Sequence, residues 1–135
     1  MAGMDYRPHR LSPGEDLKES LERLFLASGA QAAFVVAGIG SLDRAAIRYA
    51  GAPDPLPQPA TLEILTLQGS ISPDGAHLHM SVSDPQGNVT GGHVKPGCRI
   101  ATTAEILIAV LPGLRFARAP DATTGYDELV VTRIT

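Results

Sequence analysis

The 135-residue sequence lacks tryptophan, contains few aromatic residues and has one cysteine. Because aromatic residues make up only 4% of the chain, a platform on which nucleobases stack is not expected. The single cysteine, Cys98, excludes an intramolecular disulfide and is typical of a reducing compartment. The sequence therefore predicts a cytoplasmic protein that is stabilised by a hydrophobic core rather than by covalent cross-links.

The sequence also lacks an excess of positive charge and a long hydrophobic run. Its formal net charge is -3, which does not indicate an overall basic surface for phosphate backbones. Residues 1–16 are charged and contain proline, unlike a secretion signal. The longest apolar run, Ile106 to Leu111, is far shorter than the roughly 20 residues of a membrane-spanning helix. We expect a soluble domain, residues 1–135 with a core at 6–131, and no membrane partner.

One amphipathic helix is indicated near the start of the chain. Ser12 is the predicted N-cap, Pro13 takes the first helical position, and Glu15 completes a capping box. Gly29 follows as the residue that ends the helix. The predicted helix carries an apolar stripe at helical spacing, formed by Leu17, Leu21, Leu24 and Phe25.

The rest of the chain reads as β-strands separated by turn formers. The run at 32–39 is apolar at successive positions and predicts a strand buried on both faces. His9 falls on an irregular edge strand and is interpreted as exposed. The predicted strands are 6–11, 32–39, 44–49, 62–71, 77–83, 89–93, 100–111, 114–117 and 129–134, with a helix that starts at 104–107 as the alternative for part of 100–111.

These elements predict an α+β fold with a mostly antiparallel β-sheet and one main helix. One helix covers only part of one sheet face, so association of identical subunits is expected to cover the remainder. Gly38-Ile39-Gly40-Ser41 is similar to a fragment of a phosphate-binding loop, but it lacks a correctly spaced third glycine and a following helix. These glycines are instead expected to allow a bend or a close approach of the backbone.

Three of the four histidines fall in one predicted hairpin. Alternation from 77 to 83 puts His77 and His79 on one face of their strand, and the turn formers at 84–88 lead into a second strand. If Ser83 lies opposite Val89, then His79 lies opposite His93. Directly opposed Cβ atoms are about 5 Å apart and diagonal ones about 7 Å apart, so three imidazoles would converge. A register shift of one residue would put His93 on the opposite face.

Convergent neutral imidazoles predict a metal site, with zinc favoured and other divalent metals open. Cys98 is either a fourth ligand that closes this site or a small buried residue. If the metal is catalytic, a general acid or base is also needed, and Glu105 and Glu63 are candidates by residue type alone. A small-molecule ligand near the metal is then expected.

Several motifs occur in an order that resembles the plant-and-prokaryote conserved (PPC) domain, from Tyr6 to Val131. They are Pro13-Gly14-Glu15-Asp16-Leu17, Gly38-Ile39-Gly40-Ser41-Leu42, Leu62-Glu63-Ile64-Leu65, His77-Leu78-His79, Gly91-Gly92-His93 and Thr103-Ala104-Glu105. The resemblance implies a domain with an antiparallel sheet that forms a homotrimer, and a metal bound by His77, His79 and His93. It also implies an architecture related to acetolactate decarboxylase, a zinc enzyme.

The resemblance and the residues leave three functions open. Stand-alone prokaryotic PPC proteins are usually called predicted DNA-binding proteins, which implies DNA or a DNA-bound protein as a partner. Plant members carry an Arg-Gly-Arg-Pro segment that enters the DNA minor groove, and this sequence has none. The second function is a zinc-dependent enzyme acting on a small carbonyl-containing or hydrolysable substrate. The third is a trimeric interaction scaffold without chemistry.

Overall fold

The computed structural model describes residues 5–59 and 61–134. Every pairing among its strands is antiparallel, which confirms the predicted sheet with a single helix. In chain order the elements are β1 (Asp5–Leu11), α1 (Leu17–Ser28), β2 (Ala33–Arg48), β3 (Leu56–Gln58), β4 (Leu62–Ser72), β5 (Gly75–Ser83), β6 (Val89–Val94), β7 (Arg99–Val110), β8 (Leu114–Pro120) and β9 (Asp127–Arg133).

The main sheet folds back on itself. Its strand order is β1-β7-β2-β4-β5-β6, with β3 paired to β2. The end of β2 also pairs with β6, where Ile47 lies opposite Val94 and Arg48 lies opposite His93. Strands β2, β4, β5 and β6 therefore form a closed circuit, and β8 pairs with β9 as a separate hairpin. This closure brings the end of β2 against the strand that carries His93.

Strand β2 corrects the prediction of two strands at 32–39 and 44–49, because it runs without interruption from Ala33 to Arg48. Its register against β7 shifts at three places, which are irregularities that bend a strand without ending it. At Gly40 a Cβ atom would lie 2.5 Å from the Thr103 carbonyl oxygen. The predicted close approach of the backbone is therefore confirmed, and it allows the bent strand to stay paired.

The prediction that the run at 32–39 is buried on both faces is wrong for the single chain. Val35 is buried, whereas Val36 is 42% exposed and Ile39 is 54% exposed. On β4, Leu65 is 43% exposed in the same way. We call this side of the sheet, with Val36, Ile39 and Leu65, the open face. It is exposed because the helix and the core lie on the other side.

Helix α1 begins later than predicted. Its N-cap is Asp16, whose Oδ1 accepts a hydrogen bond from the Glu19 amide at 3.0 Å. The Ser12 amide does donate to the Glu15 carboxylate at 2.6 Å, but this contact closes the preceding turn. Gly14 in that turn has φ 88°, which a helix interior does not allow. Gly29 ends the helix as predicted, with φ 74°.

The predicted apolar stripe of α1 packs into the core. Its members Leu17, Leu21 and Phe25 are buried against the sheet, and Leu24 packs against them while partly exposed. His9 is half-buried rather than exposed. Strand β8 extends to Pro120, beyond the predicted 114–117, and β9 begins at Asp127 and ends at Arg133 instead of spanning 129–134. In the described ranges, no helix combines the length and apolar character that a membrane crossing requires.

Candidate metal centre

The register of the β5–β6 hairpin agrees with the prediction. Ser83 pairs with Val89, Ser81 with Gly91, and His79 with His93. The loop is held by Asp84, whose Oδ1 accepts the amides of Gln86 and Asn88, each at 2.9 Å. These hydrogen bonds lower the pKa of the Asp84 carboxyl, which keeps it ionised as an acceptor. The turn therefore fixes which residues of the two strands face each other.

The pair Gly91-Gly92 lets β6 fit between two neighbouring strands. A Cβ atom on Gly91 would lie 2.5 Å from the Met80 carbonyl oxygen, and one on Gly92 would lie 2.6 Å from the Arg48 carbonyl oxygen. Real Cβ atoms do not approach carbonyl oxygens so closely, so glycine is required at both positions. His93 is thereby held beside β5 on one side and β2 on the other.

The three hairpin histidines form one cluster on the side of the sheet that carries Val36. One ring nitrogen from each of His77, His79 and His93 lies within 4.8 Å of the others. His79 Nε2 and His93 Nδ1 are 3.2 Å apart. In a tetrahedral zinc site with Zn–N bonds of about 2.0–2.1 Å, two ligand nitrogens are about 3.3 Å apart. The His79–His93 spacing therefore fits a zinc-sized cation, and a ring nitrogen of His77 lies within 4.8 Å of both.

Arg118 reaches the cluster from the β8–β9 hairpin. Its guanidinium donates to Ser70 Oγ at 2.9 Å and to His77 Nδ1 at 3.1 Å. Because a guanidinium has no acceptor, Nδ1 must be the accepting nitrogen of His77. The neutral His77 ring then carries its proton on Nε2, so a bound metal would replace either that proton or the contact with Arg118.

The surroundings favour neutral histidines. Burial lowers the pKa of His77, and the charge of Arg118 lowers it further. Burial likewise lowers the pKa of His93, with Arg48 the next cause. Glu128 acts on His77 in the opposite direction but does not reverse the shift. At neutral pH the His77 and His93 imidazoles are therefore in the uncharged form that binds metal.

The predicted carboxylates lie elsewhere. Glu63 and Glu105 line one shallow depression of the open face together with Ile39 and Leu65. The cavities that contain the histidines are lined by other residues. Within one chain, the structure thus brings Glu63 and Glu105 near each other but not to the histidine cluster.

Cys98 is a small buried residue, which was one of its two predicted roles. The residue is fully buried, and its Sγ accepts the Ala46 amide at 3.3 Å and donates to the Lys95 carbonyl at 3.4 Å. Burial raises the pKa of the thiol, so the metal-binding thiolate is disfavoured. The structure does not place Cys98 in the histidine cluster.

Sequence reasoning missed Arg118, Arg48 and Glu128, which surround the cluster. Arg48 is brought in by the β2–β6 pairing, and the other two by the β8–β9 hairpin. No local pattern marks these residues. The one available signal was Gly91-Gly92, which indicates that a third strand approaches the hairpin closely.

The family model of the Plants and Prokaryotes Conserved (PCC) domain, also abbreviated PPC, matches residues 3–112. The chain belongs to this family. The resemblance seen in the ordered motifs is therefore confirmed.

Two curated relatives are longer proteins. The "Bifunctional protein GlmU" of Synechococcus sp. strain JA-2-3B'a(2-13) is 51% identical over 122 residues, covering 90% of this chain and 19% of the relative. The protein of the same name from strain JA-3-3Ab is 48% identical over 127 residues, covering 94% and 20%. The chain thus spans about a fifth of the length of these relatives.

Solved structures share the fold over nearly the whole chain. A hypothetical protein from Salmonella enterica is 38% identical with a TM-score of 0.94, covering 98% of this chain and 96% of that one. A metal-containing protein from Archaeoglobus fulgidus is 28% identical with a TM-score of 0.78, covering 93% of each. A predicted DNA-binding protein from Ralstonia eutropha is 24% identical with a TM-score of 0.77, covering 93% and 90%, and shows the fold alone.

Proposed function

We propose that this PPC domain binds one divalent metal, zinc by preference, through His77, His79 and His93. The observation that carries the proposal is the 3.2 Å separation of His79 Nε2 and His93 Nδ1, which is the spacing of two ligands on one zinc. The lowered pKa of His77 and His93 supports it, because a neutral imidazole is the binding form. The metal-containing protein from Archaeoglobus fulgidus is a further support from a protein of the same fold.

The three-histidine donor set is typical of a catalytic metal site rather than a purely structural one. Three protein ligands leave one coordination position for a ligand, whereas structural zinc sites are closed by four. A metal held in this way polarises a bound carbonyl or hydrolysable group. This supports the second candidate, a zinc enzyme with a small substrate. Its acid or base would come from Glu128 or Asp127, which line the cavity beside His77 and His93.

We further propose that the chain assembles as a homotrimer through the open face. Val36, Ile39 and Leu65 expose between 42% and 54% of their surface on this side of the sheet. Burying such apolar surface contributes roughly 25 cal/mol per Å², which favours association. Val36 lines the same groove as His77 and His79, so the proposed interface extends to the histidine cluster. A trimer without chemistry, the scaffold function, would use the same face.

A DNA-associated role is suggested by the name of the Ralstonia eutropha protein, with which the chain shares the fold alone. The chain offers little to bind phosphates directly, because its formal net charge is -3. On helix α1 the exposed charges are mixed, with Lys18 paired to Glu22 at 2.8 Å. We therefore propose that any association with DNA occurs through a DNA-bound protein.

Metal content and native mass, measured on one preparation, test the proposal. Protein loaded with zinc and dialysed is expected to retain one zinc per chain by elemental analysis, with a light-scattering mass of three chains. The control variant His9→Ala should retain the same zinc content as the wild type, because His9 is the one histidine outside the cluster. Protein that retains no zinc contradicts the metal proposal, and a monomeric mass contradicts the trimer.

A further inference from the structure

A cavity of about 810 Å³ opens beside His77 and His93. It lies where the end of β2 and strand β6 meet the β8–β9 hairpin. Small-molecule sites commonly have volumes of about 300–1,000 Å³, so the cavity is large enough for a metabolite. It is too small and too concave for a nucleic-acid duplex, which needs protruding cations along an open surface.

The cavity has three cations among its lining residues, Arg48, Lys95 and Arg118. All three side chains are half-buried, yet none forms an ion pair within residues 5–59 and 61–134. The other eight Lys and Arg residues of the chain differ, since they are either paired or exposed. Those in ion pairs are Arg7, Lys18, Arg23 and Arg99, and the exposed ones are Arg10, Arg44, Arg115 and Arg133.

A half-buried cation without an ion pair has lost part of its hydration, and hydrogen bonds to neutral groups compensate this loss only in part, as for Arg48 with the Ala52 carbonyl at 3.1 Å. The distribution of such cations is therefore informative, because in the described chain they all line one cavity. Arg48 lies opposite His93 in the β2–β6 pairing, and Arg118 contacts His77 directly. The positive charges thus lie next to the proposed metal ligands.

The metal site adds to this charge. Neutral histidines leave a bound divalent cation with its full charge of two, and no carboxylate belongs to the cluster. A negatively charged group would compensate both the metal and the three cations.

We propose that this cavity binds a small molecule that carries a carboxylate or phosphate group, held by Arg48, Lys95 and Arg118. That the same molecule also reaches the metal rests on the proposed function. Asp127 and Glu128 line the cavity too, and neither pairs with the three cations. These carboxylates repel a second anionic group and accept hydrogen bonds from hydroxyl or amino groups. The ligand class is therefore an oxyanion that also carries hydrogen-bond donors.

Calorimetric titration with inorganic phosphate and with malonate tests this proposal, using the full chain in zinc-free and zinc-loaded form. The informative variant is Lys95→Gln, because within residues 5–59 and 61–134 the Lys95 ammonium forms no ion pair that the substitution would break. The control is Arg44→Gln, which removes an exposed cation four positions before Arg48 on the same strand. Comparison of the two probes tells whether the site prefers a phosphate or a carboxylate.

The wild type is expected to bind at least one probe, more tightly when zinc is loaded. Loss of one charged hydrogen bond should weaken binding by about tenfold in Lys95→Gln and leave Arg44→Gln unchanged. Anion binding to zinc-free protein that depends on Lys95 supports the cavity even if zinc does not bind, in which case only the metal proposal fails. Equal binding by Lys95→Gln and wild type, or no binding of either probe in both forms, overturns the proposal.

Discussion

Replacing His79 with alanine removes the imidazole that lies closest to both of the others. Its ring centroid is 5.1 Å from that of His77 and 4.4 Å from that of His93, whereas His77 and His93 are 5.4 Å apart. Without His79 the remaining pair cannot enclose a zinc ion as a chelate of three ligands. The variant should therefore lose more zinc affinity than any other single change in the hairpin.

The size of this loss follows from the ligand count. Structural zinc sites with four ligands bind with roughly 10–16 kcal/mol, or about 3 kcal/mol for each ligand. Removal of one ligand should then weaken zinc binding by about a hundredfold or more. Competition against a chromogenic chelator at pH 7.5 measures this change, with His9→Ala as the control that retains wild-type affinity.

The fold should change little in the His79→Ala variant. His79 is exposed on its strand, whereas Leu78 and Met80 on the opposite face are buried and remain in place. Surface substitutions of this kind usually alter the free energy of unfolding by less than about 0.5 kcal/mol. Urea denaturation of zinc-free protein checks this. Equal zinc affinity in wild type and His79→Ala would refute the proposed site, while unfolding of the variant would refute the proposed separation of fold and site.

Proton competition for His77 and His93 should become strong only below pH 6.5, because the pKa of each is lowered. Chelator competition from pH 5 to 7.5 would contradict this if zinc affinity fell as steeply above pH 6.5 as below it. Ile39→Glu should dissociate the trimer, because it places an unpaired charge on the open face, whereas the control Leu26→Glu on the exposed side of α1 should leave the trimer intact. If light scattering shows that Ile39→Glu remains a trimer, the open face is not the interface. Duplex DNA should bind weakly at physiological salt, since a formal net charge of -3 gives little counterion release. If fluorescence anisotropy shows tight binding with a steep salt dependence, the prediction is wrong and assembly creates a basic surface.

The histidine hairpin was predictable because its determinants are local. Strict alternation sets the faces of β5, and the five-residue turn held by Asp84 sets the register that pairs His79 with His93. Both signals lie within 17 consecutive residues, from His77 to His93. The three site residues could therefore be named before any tertiary structure was known.

Helix α1 shows where a local signal can mislead. Two capping patterns overlap at its start, one from Ser12 to Glu15 and one from Asp16 to Glu19. Tertiary contacts decide between them, because the Gly14 amide bonds to the Ile100 carbonyl at 2.9 Å and the Leu17 amide to the Cys98 carbonyl at 2.8 Å. The residues from Ser12 to Glu15 therefore form a turn that packs against β7 instead of the first turn of the helix.

The cations of the cavity could not be predicted from the sequence. Arg48 reaches the site through the closure of β2 on β6, and Arg118 through a hairpin 41 residues beyond His77. Such long-range pairings leave no periodic pattern around either residue. The architectural relation to acetolactate decarboxylase, the extent of the domain at 1–135 and the cytoplasmic location stay predictions.

Diffraction data collected at the zinc absorption edge, from crystals of the zinc-loaded protein, test the central claim most directly. We expect one anomalous peak per chain, about 2.0–2.1 Å from a ring nitrogen of each of His77, His79 and His93. An anomalous peak held by other residues, or histidines that bind no zinc in protein of full zinc content, would contradict it.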